Sequence, residues 1–341
     1  MYDILTFGSI TLDTIIPLNE NDSAIEITKK NLSLHMGDKI IVDGAEICCG
    51  GGAANSATGF AKLGLKTAVY GCVGEKSKNG FLIHEMEKVG VDIDHLTYVP
   101  HMTSGFSIIL VAPWGERTVL HRQMKFDRFN RDSLQSAPDT KAIYIGHLYE
   151  ENEDILDGLP EWQEKNNSLF GWNPGKTQFQ KGFDHFGFLF PSVHTIIFNQ
   201  EEAEMFSAEK SEKIFSDFDN ESVFGKKIPL SVPLEKISYR RDTRHIAEIF
   251  LSAGVAQVVI TDGVRGAQFF SATEHYHIDT EKVKKVDTLG AGDAFSVGFF
   301  GAVLQKKTTA QALLWGAKNA TAVVQSRGGQ AGQLTAETIG N

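Results

Sequence analysis

Residues 286–298 read Val-Asp-Thr-Leu-Gly-Ala-Gly-Asp-Ala-Phe-Ser-Val-Gly. The small residues Gly290, Ala291 and Gly292 let backbone N–H groups approach an anion closely. Apolar residues recur at helical spacing from Ala294 onward, which predicts a helix that begins at these small residues. The dipole of such a helix favours negative charge at its start. The segment therefore predicts an anion-binding hole.

Asp293 falls on the first turn of this predicted helix. Its carboxylate would lie beside a bound phosphate and still reach a neighbouring hydroxyl, so Asp293 is a candidate general base. An ordinary acidic residue near a helix cap has the same spacing. The segment does not match the dinucleotide-binding pattern, because Phe295 stands where that pattern needs its third small residue.

Two further segments combine glycines with polar side chains. Residues 50–57 read Gly-Gly-Gly-Ala-Ala-Asn-Ser-Ala, and the amide of Asn55 can donate to and accept from a polyhydroxylated ligand. Residues 8–13 read Gly-Ser-Ile-Thr-Leu-Asp, which places Asp13 just after a predicted first strand, where open α/β sheets bind ligands. Taken singly, the first segment is typical of a tight turn and the second of a loop acid.

Short apolar runs alternate along the chain with stretches of helical periodicity. The predicted strands are 4–7, 68–71, 142–145, 169–172, 195–198 and 258–261. The predicted helices are 53–63, 80–89, 154–165, 243–253, 291–304 and 309–325. This alternation predicts one α/β domain over residues 1–341, with a mainly parallel sheet covered by helices on both faces.

Three regions interrupt the alternation. Residues 14–49 and 105–123 are typical of β-ribbons, the second turning at Pro113-Trp-Gly115, and they predict a small β-sheet lid. Residues 207–241 are rich in Lys, Glu, Asp and Ser, which predicts a surface insertion without a catalytic role.

Composition narrows the class of protein. Of the 341 residues 42% are hydrophobic, so the chain can bury a large core. The net charge of −10 argues against a general electrostatic grip on nucleic acid or an anionic membrane. The odd count of three cysteines argues against a disulfide framework and favours the cytoplasm. No stretch approaches the roughly 18 apolar residues of a membrane span, and the N-terminus predicts a first strand rather than a signal peptide.

Two other patterns are weaker guides to function. Residues 171–177, Gly-Trp-Asn-Pro-Gly-Lys-Thr, resemble a phosphate-binding P-loop, but only three residues separate the glycines where four are required. Pro174 also removes a backbone donor from such a loop. His275 and His277 lack the further ligands of a metal cluster, so we expect exposed strand histidines there.

Taken together, the motifs resemble the ribokinase-like (PfkB) family of carbohydrate and nucleoside kinases. Residues 287–293, Asp-Thr-Leu-Gly-Ala-Gly-Asp, look like the C-terminal signature of the family, and residues 50–55 look like its N-terminal signature. Asn199-Gln-Glu-Glu202 resembles its Asn-x-x-Glu motif, and Thr261-Asp-Gly263 resembles the element before its nucleotide site. The resemblance implies a three-layer α/β/α sandwich with a mainly parallel central sheet and a small β-sheet lid.

The resemblance implies an ATP-dependent phosphotransferase that phosphorylates a hydroxymethyl group of a sugar. Asp293 would take the proton of the acceptor hydroxyl, and the backbone N–H groups from Gly290 to Asp293 would stabilise charge on the transferring phosphoryl group. The alternative acceptor is a ribonucleoside of the adenosine, inosine, guanosine or cytidine type. A hypothesis of another class is a non-catalytic sugar- or nucleotide-binding regulatory protein, against which the presence of Asp293 argues.

The resemblance also implies which residues bind the substrates. The acceptor would be held by Asp13, Gly51, Gly52, Asn55 and, from the lid, Arg122 or His121. The nucleotide would be held by Asn199, Glu202, Thr261, Gly263 and Asn319. Glu202 would organise Mg²⁺ through water, and Asp287 would contribute to a monovalent-cation site for K⁺.

The acceptor stays open between the two classes. Gly52 stands where ribokinases proper often have lysine, and the segment near His147 and Leu148 lacks the glutamate that contacts ribose in them. The long interval 13–50 resembles nucleoside-accepting members, whereas Gly115-Glu-Arg-Thr118 resembles sugar kinases. Exposed lid strands could pair two subunits into a homodimer.

Overall fold

The short apolar runs of the sequence lie side by side as strands of one sheet. The computed structural model describes residues 1–20, 23–28, 31–124, 131–215 and 241–340. The strands are β1 (Ile4–Phe7), β2 (Thr11–Pro17), β3 (Ile25–Ile27), β4 (Leu32–Leu34), β5 (Glu46–Gly50), β6 (Thr67–Val73), β7 (Leu96–Tyr98), β8 (Gly105–Val111), β9 (Arg117–Arg122), β10 (Ala142–Ile145), β11 (Leu169–Trp172), β12 (Thr195–Asn199), β13 (Gln257–Thr261), β14 (Ala267–Ser271) and β15 (His275–Ile278). The helices are α1 (Gly52–Lys62), α2 (Gly80–Glu87), α3 (Arg131–Gln135), α4 (Ile155–Asn166), α5 (Lys176–Lys181), α6 (Gln200–Phe215), α7 (Arg241–Ser252), α8 (Ala291–Leu304), α9 (Thr309–Val323) and α10 (Ala336–Gly340).

The central sheet has nine strands in the order β15-β14-β13-β12-β11-β10-β1-β6-β7. All neighbours from β13 to β7 pair in parallel, and only β14 and β15 pair antiparallel. Strands β1 and β10 are buried at every position, because helices cover both faces of a parallel sheet. The predicted mainly parallel sheet is confirmed.

Successive residues of the strands pack into two different cores. Leu5 of β1 packs with the aromatic side chains of α4 to α7, whereas Ile4 packs with side chains of α1, α8 and α9. Tyr144 and Ile145 of β10 divide between the two cores in the same way. The alternation follows from the two-residue period of a strand, and it produces the predicted three-layer α/β/α sandwich.

A separate four-stranded sheet, called the small sheet below, has the order β5-β2-β8-β9. Strand β2 pairs parallel with β8 and antiparallel with β5. Strands β8 and β9 form a hairpin whose turn contains the predicted Pro113-Trp-Gly115 segment, with the Gly115 N–H donating to the Ala112 carbonyl at 2.9 Å. Its strands begin three residues before the predicted boundary at 14, since β2 starts at Thr11.

The region predicted as a surface insertion is described only at its ends. Residues 207–215 continue α6, residue 241 begins α7, and 216–240 lie outside the described residues. None of the helices within the described ranges has both the length and the apolar character to cross a bilayer. None of the three cysteines, all of which lie in the described ranges, takes part in a disulfide.

The segment that resembles a P-loop connects β11 to α5. The side-chain amide of Asn173 donates to the carbonyl of Ile197 at 2.7 Å. A Cβ atom at Gly175 would lie 2.3 Å from the ring of His147, so the loop packs closely against that side chain. These interior contacts agree with the interpretation that the segment is not a phosphate cradle.

Candidate active site

The start of α8 has the open geometry that its sequence predicts. Gly290 caps the helix with φ 74°, in the left-handed region, and a Cβ atom there would lie 2.4 Å from the Cα atom of Gly329. The N–H groups of Gly292 and Asp293 have no carbonyl partner one turn earlier in the helix, because the helix begins at Ala291. This end of α8 therefore presents backbone donors and the positive end of a helix dipole to an anion.

Asp293 lies half-buried on the first turn of α8. Its Oδ2 atom accepts a hydrogen bond of 2.9 Å from the side-chain amide of Asn55, in α1. Burial raises the pKa of Asp293 above the ordinary aspartate value, and the hydrogen bond from Asn55 opposes that rise. The fold thus brings the two signature motifs together at one carboxylate.

The start of α1 packs against the loop after β1. Gly51 has φ 90°, and a Cβ atom at this position would lie 2.4 Å from the carbonyl oxygen of Ser9. The N–H of Gly52 donates to the Ser9 hydroxyl at 3.1 Å. The first of these contacts needs a glycine, and together they place both glycines beside the segment 8–13.

Asp13 lies buried on β2, with its side chain on the same face of the small sheet as Ser107 of β8. The hydroxyls of Thr11 and Ser107 donate to its carboxylate, Thr11 at 2.9 Å. Burial raises the pKa of Asp13, and these two hydrogen bonds and the nearby His121 partly offset the rise. Asp13 and Asp293, the two carboxylates predicted to contact the acceptor, therefore both lie in partly desolvated positions.

The structure distinguishes between His121 and Arg122, the two lid residues that the sequence offered as contacts to the acceptor. His121 of β9 pairs across from Ser107, its Nδ1 lies 3.2 Å from the Ser107 hydroxyl, and it faces Asp13. Arg122 points to the opposite face of the small sheet, where it donates to the hydroxyl of Thr103 at 2.8 Å. Strand alternation thus excludes Arg122 from the Asp13 face, which corrects its predicted role, and selects His121.

Sequence reasoning assigned no role to Arg117. It lies on the same face of β9 as His121, four positions earlier, and its guanidinium donates to the hydroxyl of Thr288. Thr288 lies two residues before the cap of α8. The sequence did contain a signal for Arg117. It lies in Gly115-Glu-Arg-Thr118, four residues before His121, so strand alternation places both side chains on the same face.

A cleft of about 290 Å³ opens beside the start of α8, between β13, β14, β15 and α9. Its lining is mostly apolar, and three of the predicted nucleotide residues, Asn199, Thr261 and Gly263, contribute to it. Asn319 does not, which corrects its prediction. It is fully buried on another face of α9, where it donates to the carbonyl of Ala294 at 2.8 Å.

Asn199 and Glu202 form reciprocal hydrogen bonds at the start of α6. The Asn199 side chain accepts from the N–H of Glu202, and the Glu202 carboxylate accepts from the N–H of Asn199, both at 2.9 Å. This is a capping box, and it explains the Asn-x-x-Glu spacing structurally. Burial raises the pKa of Glu202, and the negative charge of Asp293 adds to the rise, so the two carboxylates lie near each other.

Asp287 ties the loop before α8 to the segment after α9. It is buried, with Oδ1 accepting from the N–H of Leu289 at 2.9 Å and Oδ2 accepting from the N–H of Gly328 at 3.0 Å. Each carboxylate oxygen has a second lone pair. The contacts therefore leave room for an ion without requiring one.

No set of three His, Cys, Asp or Glu side chains in the described ranges could hold a metal ion. His275 stacks on the ring of Phe270 at 4.3 Å and is buried, which lowers its pKa to about 4. The prediction of exposed histidines is therefore wrong for His275, because β15 packs that side chain against β14. His277 pairs instead with Asp279 at 3.0 Å.

The geometry defines a class of enzyme. An anion-binding helix start, a carboxylate that can accept a proton and an apolar cleft alongside are the parts that a phosphotransferase of α/β architecture needs. The chain belongs to the PfkB family of carbohydrate kinases, whose model matches residues 22–336. It is an ATP-dependent kinase of the carbohydrate or nucleoside class.

Known relatives span nearly the whole chain. The ribokinase of Bacillus subtilis is 22% identical, covering 99% of this chain and 98% of the relative. The adenosine kinase of Schizophyllum commune is 27% identical, covering 92% and 89%. A ribokinase-type protein of E. coli solved with ATP and Mg²⁺ has a TM-score of 0.75 at 17% identity, covering 100% of this chain and 98% of that one. This structural likeness establishes the fold.

Proposed function

We propose that this kinase transfers the terminal phosphoryl group of ATP to a hydroxymethyl group of a sugar, with Asp293 as the proton acceptor. The observation that carries the proposal is the 2.9 Å hydrogen bond between Asn55 and Asp293. It joins the acceptor-side motif to the helix start that would bind phosphate. The substrate hydroxyl would then lie between the acceptor-binding residues and the phosphate-binding end of α8, which is the geometry of in-line transfer.

The acceptor would lie between α1 and the small sheet. Asp13 would accept hydrogen bonds from its hydroxyls, and the backbone of Gly51 and Gly52 would allow its close approach. Asn55 has only part of its amide free, because one of its two N–H groups is taken by Asp293. It would therefore donate one hydrogen bond to the acceptor.

The donor nucleotide would occupy the cleft beside α8. Thr261 and Gly263 would border the nucleotide, and the N–H groups from Gly290 to Asp293 would receive the charge of the transferring phosphoryl group. Arg117 would add a cation at the same point, because its guanidinium already lies at Thr288. Positioning and fixed charge would supply most of the rate, as is usual for phosphoryl transfer.

Magnesium would be held mainly by phosphate oxygens and water. The donor set fits this mode, because Glu202 is a half-buried carboxylate near Asp293 and the described residues offer no complete protein cage. Bound Mg²⁺ would neutralise phosphate charge, and Glu202 and Asn199 would orient its waters. Asp287 would contribute to a K⁺ site through its remaining lone pairs.

The small sheet would serve as a lid that excludes water from the reacting groups. Its strands β5 and β9 are edges, and they expose Ile47, Val119 and Leu120. Pairing of such edges would join two subunits into a homodimer. Light scattering of the purified protein measures this directly.

A sugar is favoured as acceptor by the Gly115-Glu-Arg-Thr118 segment, which resembles sugar kinases and whose Arg117 reaches Thr288 in the loop before α8. A small cleft also opens beside the acceptor-side motif, between the 8–11 loop and the 147–149 segment. A ribonucleoside is the second candidate, favoured by the rings beside the same cleft. Tyr149 stacks on His121 at 6.0 Å and contacts His147 at 5.0 Å, and such rings can support a base.

The deciding experiment is a coupled assay of ADP release with ATP and Mg²⁺ over pentoses, hexoses and ribonucleosides. We expect a sugar to give the highest kcat/KM, with phosphorus NMR locating the new ester on a primary alcohol. A ribonucleoside with the higher value would replace the sugar as acceptor. Binding of ATP without turnover on any acceptor would favour a non-catalytic binding protein.

A further inference from the structure

A line of hydrogen bonds runs from α1 through Gln330 to Asp293. The hydroxyl of Thr58 donates to Gln330 Oε1 at 3.3 Å, and Gln330 Nε2 donates to Asn55 Oδ1 at 3.1 Å. Asn55 Nδ2 then donates to Asp293 Oδ2 at 2.9 Å. The four residues alternate donor and acceptor without a break, and the line ends at the candidate proton acceptor.

The chemistry of the last residue fixes the direction of the whole line. An ionised carboxylate only accepts, so Asn55 must turn its amide nitrogen toward Asp293. The Asn55 side-chain oxygen then points at Gln330, which must donate a hydrogen bond to it from its own side-chain nitrogen. Without Gln330 the Asn55 amide would lose one of the two partners that favour this orientation over the flipped one.

Gln330 is held in place independently of this line. The ammonium group of Lys62 donates to its carbonyl oxygen at 2.8 Å. Gln333, three residues later, donates to the carbonyls of Asn55 and Gly329, both at 2.9 Å. These hydrogen bonds hold the segment 329–333 against α1, so the Gln330 side chain reaches Asn55 from a fixed backbone.

We propose that Gln330 is a positioning residue for catalysis, which through Asn55 fixes the Asp293 carboxylate and favours its ionised form. The proposal rests on the proposed function, in which Asp293 accepts the proton. Gln330 would touch neither substrate. Its effect would reach the reaction only through the orientation of the Asn55 amide, and Asp293 Oδ1 would remain available to the acceptor hydroxyl.

Three groups face Asp293 from the elements packed against it. Asn55 of α1 donates to it, Tyr144 of β10 lies within electrostatic range, and Glu202 of α6 adds negative charge nearby. Of these only Asn55 supplies a hydrogen bond that lowers the pKa of Asp293. Loss of an ordered Asn55 amide should therefore raise that pKa, and the acid limb of the kcat/KM profile should move to higher pH.

The test compares Gln330→Leu and Gln330→Glu with the control Gln305→Leu. Gln305 is also half-buried and donates through its side chain, to the Leu63 carbonyl, at the other end of α8. We expect Gln330→Leu to lower kcat about tenfold or more, because misplacement of a reacting group is costly. Its KM for ATP should stay within about twofold, since the interaction lost acts in the transition state.

Gln330→Glu gives the sharper result, because a carboxylate at this position would draw the Asn55 nitrogen away from Asp293. We expect the acid limb of the kcat/KM profile to move further toward high pH in Gln330→Glu than in Gln330→Leu. The acid limb of the control Gln305→Leu should coincide with that of the wild type. A limb that stays in place in both Gln330 variants, with kcat within about twofold of the wild type, would overturn the proposal.

Two measurements keep the proposal testable if a variant does not fold or the wild type shows no turnover. Thr58→Val removes only the first donor of the line, and we expect a smaller shift of the acid limb in the same direction. Carboxyl carbon NMR follows the titration of Asp293 without turnover. A wild type inactive on every acceptor would end the proposed function, whereas an Asp293 titration that Gln330→Leu leaves unmoved would end this one.

Discussion

Replacing Asp293 with Asn removes the candidate proton acceptor and keeps the shape of the side chain. The amide oxygen of the replacement can still accept the hydrogen bond from Asn55, so the site should stay assembled. Loss of general base catalysis should lower kcat by about 10³-fold, equivalent to about 4 kcal/mol of transition-state stabilisation. The affinity for ATP should remain within about threefold, because the N–H groups of the α8 start are unchanged.

The same substitution should not reduce stability. Burial raises the pKa of Asp293, so the cost of its ionised form is absent below the pKa of the unfolded state and fully present above the raised pKa of the folded state. At neutral pH the Asp293→Asn variant escapes this cost. We therefore expect its melting temperature to equal or exceed that of the wild type, while turnover collapses.

The assay is ADP release with saturating ATP and acceptor, together with calorimetric titration of ATP and a thermal melt. Asp157→Asn is the matched control, because Asp157 is also an acid on the first turn of a helix, α4, and is exposed. Its kcat should stay within about twofold of the wild type. If Asp293→Asn keeps more than about a tenth of the wild-type kcat, another group is the base and the assignment fails.

Three further predictions concern the lid, the pH profile and the cation. Arg117→Ala should lower kcat/KM for ATP about tenfold through loss of the guanidinium at Thr288, whereas Arg122→Ala, on the other face of the same strand, should change it less than about twofold. The reverse ranking would contradict the assignment of the site face. The rate should fall with decreasing pH through the raised pKa of Asp293, because only the carboxylate accepts a proton, and a profile flat down to about pH 4 would contradict this. Replacing K⁺ with a bulky organic cation should reduce the rate severalfold, and an unchanged rate would remove Asp287 from any ion site.

The central elements could be predicted from sequence because local signals and long-range packing agree there. Helix α8 spans the predicted 291–304, since a glycine cap precedes a stretch that is apolar apart from Asp293 and Ser296. Strands β1, β10 and β11 also have their predicted bounds, because parallel strands that are buried along most or all of their length are continuous apolar runs. Helix α6 was not predicted, because its polar sequence lacks a clear apolar period.

Within the site, sequence motifs located the residues whose role depends on backbone geometry. Gly290 and Gly51 need conformations or close approaches that few other residues allow. The misassigned residues depend on which way a side chain points. Asn319 lies on α9 but on the face toward α8, and Arg122 is one position from the face of Asp13. Gln330 could not be found from sequence, because its partners are over 200 residues away.

Asp13 and Arg117 lie on the same face of the small sheet, on strands separated only by β8. In the proposed function, Asp13 would hold the acceptor and Arg117 would contact the transferring phosphate. Any tilt of that sheet as a unit therefore displaces both contacts in a single movement. If both residues bind as proposed, the affinities for the two substrates would be linked, because the binding of one would position the contact to the other.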